Sequence, residues 1–433
     1  MGHSLEALAE NGISIHSTIE DASAPEHIEN LAGIICDQND TIQSRFRLDS
    51  EDDCEAYTRT KLWQRLGKRE RTNVEESAFS ADRIRLEAEE IIAKGGSEKK
   101  WNDFFGAFFF KPLFDRCKIQ REDSRHTRLR KLYSDSFEME GERDWHLFHR
   151  GGGYRSRHRR ELSMPRPDYA CYFRIHNTST TKMREPDCEV KTTPDYPHGD
   201  LVENFSIDVL KELASHGLFS CPVIKPAKRG YGSKGDFYRS NEMICFPWLV
   251  CELKKKEQKK ETECHCQTAS ASSAAVMIMQ AAARYAEPGA NSEHVPPVVS
   301  ITAIGPHVTV WITYLVPEDN QIDDVETEDE GSEGSVAGDA FEMVGIWTGD
   351  MTNVWDILAL QAILENVHIW ATQTLKPQIA RYIGQWQENC REDSMSDSSS
   401  ASSEISAQFA SLRLRLDRLQ AKVESRLQKD INV

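Results

Sequence analysis

Hydrophobic and polar residues alternate along the chain in blocks that predict both helices and strands. Apolar residues recur at steps of three and four over residues 77–94, which predicts a helix that Gly95 and Gly96 end. Ser97 can cap a second helix, which carries an aromatic stripe as far as residue 109. Aromatic side chains at helical spacing are typical of core packing.

The strand signals are strongest in the second half of the chain. The stretch 244–253 is apolar almost throughout and predicts a buried strand that ends in the charged sequence ELKKKE. A shorter strand is predicted to begin near Asp168, in PRPDYACYFRI. Further elements are predicted in the order helix over 205–217, small-residue helix over 266–286, hairpin about Gly305, strand over 341–350 and helices over 354–383.

These elements predict an α/β fold (mixed α+β) with helical additions. Residues 1–60 are polar and acidic, which is typical of a mostly disordered or loosely docked arm. We expect one domain over 61–390, with insertions at 177–240 and, as an acidic loop, at 318–338. Residues 391–407 read as a Ser-rich linker. An amphipathic helix is predicted over 408–433 and is a candidate for self-association or for binding a protein partner.

The charge of the chain is unevenly distributed. A net charge of −17 argues against a nucleic-acid partner for the chain as a whole. Basic residues nevertheless cluster at 128–131 and 150–166, so a local cationic surface is possible. In RSRHRR the candidate phosphate contacts are Arg155, Arg157, Arg159 and Arg160. The same string fits a nuclear import signal or a solvated loop that balances the acidic segments.

The cysteines and the hydropathy of the chain predict where in the cell the protein resides. Eleven cysteines are scattered along the chain and no signal peptide is recognisable, so free thiols in the nucleus or cytoplasm are expected rather than secretion. No apolar run approaches 18 residues, which predicts that the chain does not cross a membrane.

The candidate chemistry lies at the end of the most apolar strand. Residues two apart in a strand project from the same face, so Glu252 and Lys254 are expected side by side. A carboxylate that binds Mg²⁺ and an ammonium near the attacked phosphate are needed for metal-assisted phosphodiester hydrolysis, together with a second carboxylate. Asp168 is the preferred second carboxylate because it opens a predicted strand. Asp236 is the substitute, since it is nearer to Glu252 along the chain.

Simpler explanations exist for these residues. The charged end of the strand fits a solvated surface on which Glu252 pairs with a lysine. The short pattern also occurs at Glu189 and Lys191, without a preceding hydrophobic strand, and there we interpret it as chance. Cys264, His265 and Cys266 raise the possibility of zinc, but their one-residue gap is unlike the usual paired spacing.

The ordered motifs resemble the PD-(D/E)XK nuclease superfamily, and the fungal PD-(D/E)XK nuclease-like domain proteins most closely. The motifs are PD at Asp168, ELK at Glu252, the SE-x-x-W helix start at Glu98 and the strand GPHVTVWITY. The resemblance covers roughly residues 77–383 and implies a restriction-endonuclease-like core of helix, three-stranded meander, helix and strand. The 84 positions between Asp168 and Glu252 require an insertion, whose entropic cost grows slowly with length.

The resemblance also implies roles for particular residues. Asp168, Glu252 and the backbone carbonyl of Leu253 would ligate Mg²⁺ or Mn²⁺. Lys254 would position or activate the attacking water. The auxiliary residues implied are Glu98, Gln267 and Gln280.

Two functions follow as hypotheses. The first is a Mg²⁺-dependent nuclease that hydrolyses phosphodiester bonds, with DNA favoured over RNA. The second is a catalytically inactive nuclease fold that serves as a binding or interaction module.

Overall fold

The computed structural model of the protein describes a set of segments that together form a mixed sheet with helices. The described residues are 4–37, 68–114, 137–145, 162, 164–175, 204–222, 244–286, 295–316 and 340–396. In chain order, the helices α1–α8 are Leu5–Glu10, Glu26–Cys36, Lys68–Ala93, Glu98–Phe105, Ile207–Ser215, Gln258–Ala286, Val354–Trp370 and Lys376–Ser396. The π-helical segments Gly106–Phe110 and Ala371–Leu375 continue α4 and α7.

Within the described segments, seven strands form one sheet, which confirms the predicted mixed α/β class. The strands β1–β7 are Ile13–His16, Phe137–Glu140, Tyr169–Arg174, Ile244–Lys254, Val298–Ile304, His307–Leu315 and Phe341–Asp350. Their order across the sheet is β1-β7-β6-β5-β4-β3-β2. Neighbours are antiparallel except for the parallel pairs β1–β7 and β4–β5. Strands β2, β3 and β4 therefore form an antiparallel meander, and α6 makes the crossover from β4 to β5.

Strand β4 lies in the interior of the sheet, between β5 and β3. All of its residues are buried, because strands flank it on both edges and helices cover the sheet. Helix α6 packs on β4, β5 and β6, and its many alanines and serines let the two backbones approach closely. Helix α8 covers α6 in turn, and Trp386 Nε1 donates to the carbonyl of Ala282 at 3.1 Å. On other parts of the sheet, α7 packs against α2, α3 and β7.

The N-terminal segment is not a loose arm over residues 4–37. Strand β1 pairs in parallel with β7, with Ile13 opposite Phe341. The apolar positions of α2 recur at helical spacing, and Ile28 and Ile35 are fully buried. Asn366 Nδ2 of α7 donates to the carbonyl of Ile35 at 3.1 Å. The acidic composition had concealed this amphipathic pattern.

Other predicted boundaries shift or remain undescribed. Helix α8 extends to Ser396, into the stretch interpreted as a linker over 391–407. Residues 204–222 of the predicted insertion form α5 and its flanks. The acidic loop 318–338 and the predicted helix 408–433 lie outside the described residues. Among the helices that the structure describes, none combines the length and apolar character of a membrane span.

Ile28→Ala tests the integration of the N-terminal segment. Because Ile28 is 0% exposed, we expect the substitution to lower the free energy of unfolding by about 2–5 kcal/mol, as measured by urea denaturation. Ile34→Ala on the same helix is the matched control. The Ile34 side chain is 57% exposed, and an effect within about 0.5 kcal/mol is expected. Equal, small effects of both substitutions would contradict the docking of α2.

Candidate functional site

The ammonium group of Lys254 lies among three carboxylates at one end of the sheet. Lys254 Nζ is 3.5 Å from Glu98 Oε1, 3.6 Å from Glu252 Oε2 and 3.8 Å from Asp168 Oδ2. Only 3% of the Glu252 side chain and 8% of the Lys254 side chain are exposed, whereas Glu98 is 44% exposed. The structure therefore brings Glu98 and Asp168 next to the Glu252–Lys254 pair, although they lie far from it in the sequence. The pocket is open on the side of Glu98.

The pairing of β3 with β4 places Asp168 beside Glu252. Tyr169 lies opposite Cys251 in the antiparallel register, so Asp168 stands at the start of β3 next to the end of β4. Its Oδ2 accepts a hydrogen bond of 2.7 Å from the backbone N–H of Leu253. This bond fixes the orientation of the carboxylate, because the Leu253 N–H at the end of the strand points in one defined direction. The N–H and C=O of a residue in a strand point to the same neighbour, so the Leu253 carbonyl faces the Asp168 side as well.

Gly141 allows the chain to pass close behind Asp168. A Cβ atom on Gly141 would lie 2.3 Å from the backbone oxygen of Asp168, which no side chain permits. The neighbouring Glu142 has a positive φ of 53° and donates its N–H to the carbonyl of Pro167 at 3.0 Å. The end of β2 thus holds the segment that carries Asp168. Sequence reasoning missed Gly141, since a single glycine in a polar stretch carries no signal of its own.

Glu98 reaches the site from the first turn of α4. The Ser97 hydroxyl accepts from the Lys100 N–H and begins the helix as predicted. The helix is held to β3 by Tyr169, whose hydroxyl donates to the carbonyl of Asn102 at 3.2 Å. Burial raises the pKa of Tyr169 to about 12, so this hydroxyl keeps its proton and remains a donor. Tyr169 and Asn102 were not predicted as positioning residues.

The three charged groups at the centre shift one another's titration. Burial, and then the charge of Asp168, raise the pKa of Glu252 well above its usual range. Burial also raises the pKa of Asp168, against the opposing effects of Lys254 and the Leu253 N–H. Burial lowers the pKa of Lys254, but the neighbouring carboxylates outweigh it and the net shift is upward. Lys254 is therefore an ammonium at neutral pH, while Glu252 and Asp168 hold their protons more tightly than free carboxyl groups do.

The first turns of α6 lie beside this centre. Cys264 Sγ is 3.5 Å from the carbonyl oxygen of Glu252. Gln267 lies one turn further along, with a buried Oε1 that has no hydrogen-bond partner among the described residues, so it stays a candidate. Sixteen residues, or about 24 Å of helix at 1.5 Å per residue, separate Gln280 from Cys264. Gln280 is thus too far away, and its prediction as an auxiliary site residue was wrong.

The candidate ligands suit a hard divalent cation rather than zinc. Two carboxylates and a backbone carbonyl supply oxygen, and Mg²⁺ in proteins commonly uses one or two carboxylates with water and substrate phosphate. No three His, Cys, Asp or Glu side chains of the described segments form a ready ligand set. Cys264 and Cys266 project about 200° apart around the helix, so they do not converge on one ion.

Several predicted residues lie outside the described residues. These are the arginines Arg155, Arg157, Arg159 and Arg160, the substitute acid Asp236, and the chance pair Glu189 and Lys191.

Comparison of the chain with models of protein families, with curated proteins and with solved structures gives no match.

The buried carboxylates predict a stability that depends on pH. A raised pKa means that the folded state binds the Glu252 proton more tightly than the unfolded state does. The contribution of Glu252 to the free energy of unfolding is therefore full below the ordinary pKa of 4.5 and is lost as pH rises through the folded-state pKa. Glu252→Gln removes the buried charge. We expect it to raise the free energy of unfolding at pH 8 by roughly 0.5–2 kcal/mol, with a difference that shrinks toward pH 5.

Urea denaturation at several pH values measures this effect in the metal-free protein. Glu257→Gln is the control, because Glu257 is 48% exposed and pairs with Lys255 at the surface. A Glu252→Gln variant that is less stable than the wild type throughout this pH range would contradict the conclusion that the buried Glu252 charge destabilises the fold.

Proposed function

We propose that the protein is a metal-dependent nuclease that hydrolyses phosphodiester bonds of nucleic acid, with DNA favoured. One observation carries the proposal, namely the convergence of Asp168, Glu252, Lys254 and Glu98 within 4 Å contacts at a sheet end. Buried like charges are costly, and strongly perturbed titratable groups cluster at functional sites. A purely structural ion pair needs one carboxylate for one lysine, and here there are three.

The order of elements around the site supports the same proposal. Helix α4, the meander β2-β3-β4, helix α6 and strand β5 occur in this order along the chain, with α5 inserted between β3 and β4. This is the order that the resemblance to the PD-(D/E)XK superfamily implies. Asp168 and the Glu252–Lys254 pair occupy adjacent strands of the meander, as the resemblance also implies.

Asp168, Glu252 and the Leu253 carbonyl would hold the divalent cation, Mg²⁺ or Mn²⁺. When bound, such an ion polarises a phosphate and lowers the pKa of a water molecule. The protein's own groups would prepare the reaction in two ways. Lys254 holds a positive charge where negative charge gathers on the attacked phosphate. Glu98, partly exposed and in contact with Lys254, would orient that ammonium from the open side of the pocket.

Cleavage assays test this proposal directly. We expect wild-type protein with Mg²⁺ or Mn²⁺ to cleave plasmid or single-stranded DNA. Glu252→Gln and Lys254→Met should each lower the rate by about 10²–10³-fold, as is typical when one group that stabilises transition-state charge is removed. Lys255→Ala is the matched control, since Lys255 adjoins Lys254 but pairs at the surface with Glu257.

The outcomes of this assay separate the alternatives. Activity that survives both site substitutions would overturn the site. Salt-sensitive DNA binding by a wild-type protein that does not cleave would favour the inactive binding module. Circular dichroism of each variant would show that the fold is retained.

The raised carboxyl pKa values predict that metal binding releases protons from the site. Because the pKa values of Glu252 and Asp168 are raised, a cation must displace protons from them, and its affinity should increase as pH rises. Calorimetric titration with Mg²⁺ at fixed pH, in buffers of different ionisation enthalpy, measures the protons released. Glu252→Gln should weaken binding by about tenfold or more. An affinity that is independent of both pH and Glu252 would contradict the ligand set.

A further inference from the structure

A second cationic group lies beside the candidate centre, at the same end of the sheet. Lys256 Nζ is 2.9 Å from His307 Nε2, and His307 Nδ1 is 3.1 Å from Asp350 Oδ2. These residues come from three places, namely the segment after β4, the first residue of β6 and the last residue of β7. We refer to Lys256, His307 and Asp350 as the lysine relay.

The register of the sheet aligns the relay with the centre. Lys254 is paired with Ile304, Ile304 with His307, and His307 with Asp350. Residues paired across neighbouring strands project from the same face, so His307 lies on the face that carries Lys254. Two strand spacings of about 4.8 Å put it about 10 Å from Lys254.

The hydrogen bonds define the protonation of the relay. An ammonium group only donates, so His307 Nε2 accepts from Lys256 and carries no proton. The proton of the imidazole is then on Nδ1, which donates to Asp350. Asp350 Oδ1 in turn accepts from both the N–H and the hydroxyl of Thr352, at 2.8 and 2.7 Å. The carboxylate orients the ring, and the ring orients the lysine.

This arrangement leaves the charge of Lys256 available to a ligand. Its partner is a neutral ring rather than a carboxylate, whereas Lys254 is enclosed by three acids and Lys255 pairs with Glu257. Lys256 also lies close to the turn at Gly305, where an added Cβ atom would lie 3.0 Å from the Lys256 Cβ. An exposed ammonium that is ordered in advance loses less entropy when it binds an anion.

We propose that the lysine relay binds a backbone phosphate of the nucleic acid beside the scissile phosphate. This inference rests on the proposed nuclease function, because the ligand follows from the neighbouring centre. Asp350 and His307 are positioning residues, and Lys256 makes the contact.

Binding of a short fluorescein-labelled duplex DNA by the full chain without divalent cations tests the proposal. Lys256→Ala should weaken binding by about tenfold and should reduce the salt slope of the affinity by about 0.9, the value for one phosphate contact. Lys256→Arg, which keeps the charge and the donors, should restore most of the affinity. Lys255→Ala is the matched control with the same change of net charge, and a much smaller effect is expected.

Asp350→Asn separates positioning from net charge. The substitution removes a negative charge, so a purely electrostatic surface would bind DNA more tightly. The asparagine amide would instead donate to His307 Nδ1, which would place the imidazole proton on Nε2. Nε2 would then no longer accept a hydrogen bond from Lys256. We therefore expect Asp350→Asn and His307→Ala to bind more weakly than the wild type, with equal thermal stability as a check on the fold.

The relay and the nuclease proposal fail in different ways. If the wild type cleaves DNA but Lys256→Ala and Lys255→Ala change DNA affinity equally, the relay alone is overturned. Binding that depends on Lys256, in a protein that never cleaves DNA with Mg²⁺ or Mn²⁺, would support the relay and overturn the nuclease. A wild-type protein without affinity for DNA would overturn both.

Discussion

The ion pairs of Lys254 are the interaction on which the rest of the site depends. A carboxylate as buried as that of Glu252 is unfavourable unless it is paired or protonated. Lys254 is the common partner of Glu252, Asp168 and Glu98, and it lies within 4 Å of all three. Burial, which the single charge of Lys254 does not offset, raises the pKa values of Glu252 and Asp168. A fold selected for stability alone would replace such a group with apolar side chains.

The surrounding structure holds this unfavourable cluster in place through backbone contacts. The Leu253 N–H bond fixes Asp168, and the absence of a side chain at Gly141 lets the chain pass behind it. The Tyr169 hydroxyl anchors the helix that carries Glu98. Each of these contacts involves the meander β2-β3-β4, so strands that contribute to the core also form the site. Rigid support of this kind is what a site with defined geometry requires.

The sequence could predict the parts of the site that follow from local pattern. The apolar run before Glu252 predicted β4, and the spacing of Glu252 and Lys254 predicted their common face, which the structure shows. Asp168 was the preferred second carboxylate because it opens a predicted strand, but local pattern could not give its distance from Glu252, since no local signal links residues 84 positions apart. Gly141 and the Tyr169–Asn102 contact could not be predicted, since they depend on how separate elements approach one another. The ordered segment 4–37 was missed because composition was given more weight than the helical spacing of Ile28 and Ile35.

The charges at this end of the sheet also reconcile an acidic chain with the polyanionic substrate of the proposed function. Three carboxylates and one ammonium leave an anionic pocket with a formal charge near that which a divalent cation would balance. The lysine relay, about two strands away, presents a cation whose partner is neutral. In the proposed function, the carboxylates would take the metal ion and the adjacent lysine relay would take a phosphate, so the two form a complementary pair at short range. Because exposed charges are screened beyond about 10 Å at 0.1 M salt, the net charge of −17 has little influence on this local arrangement.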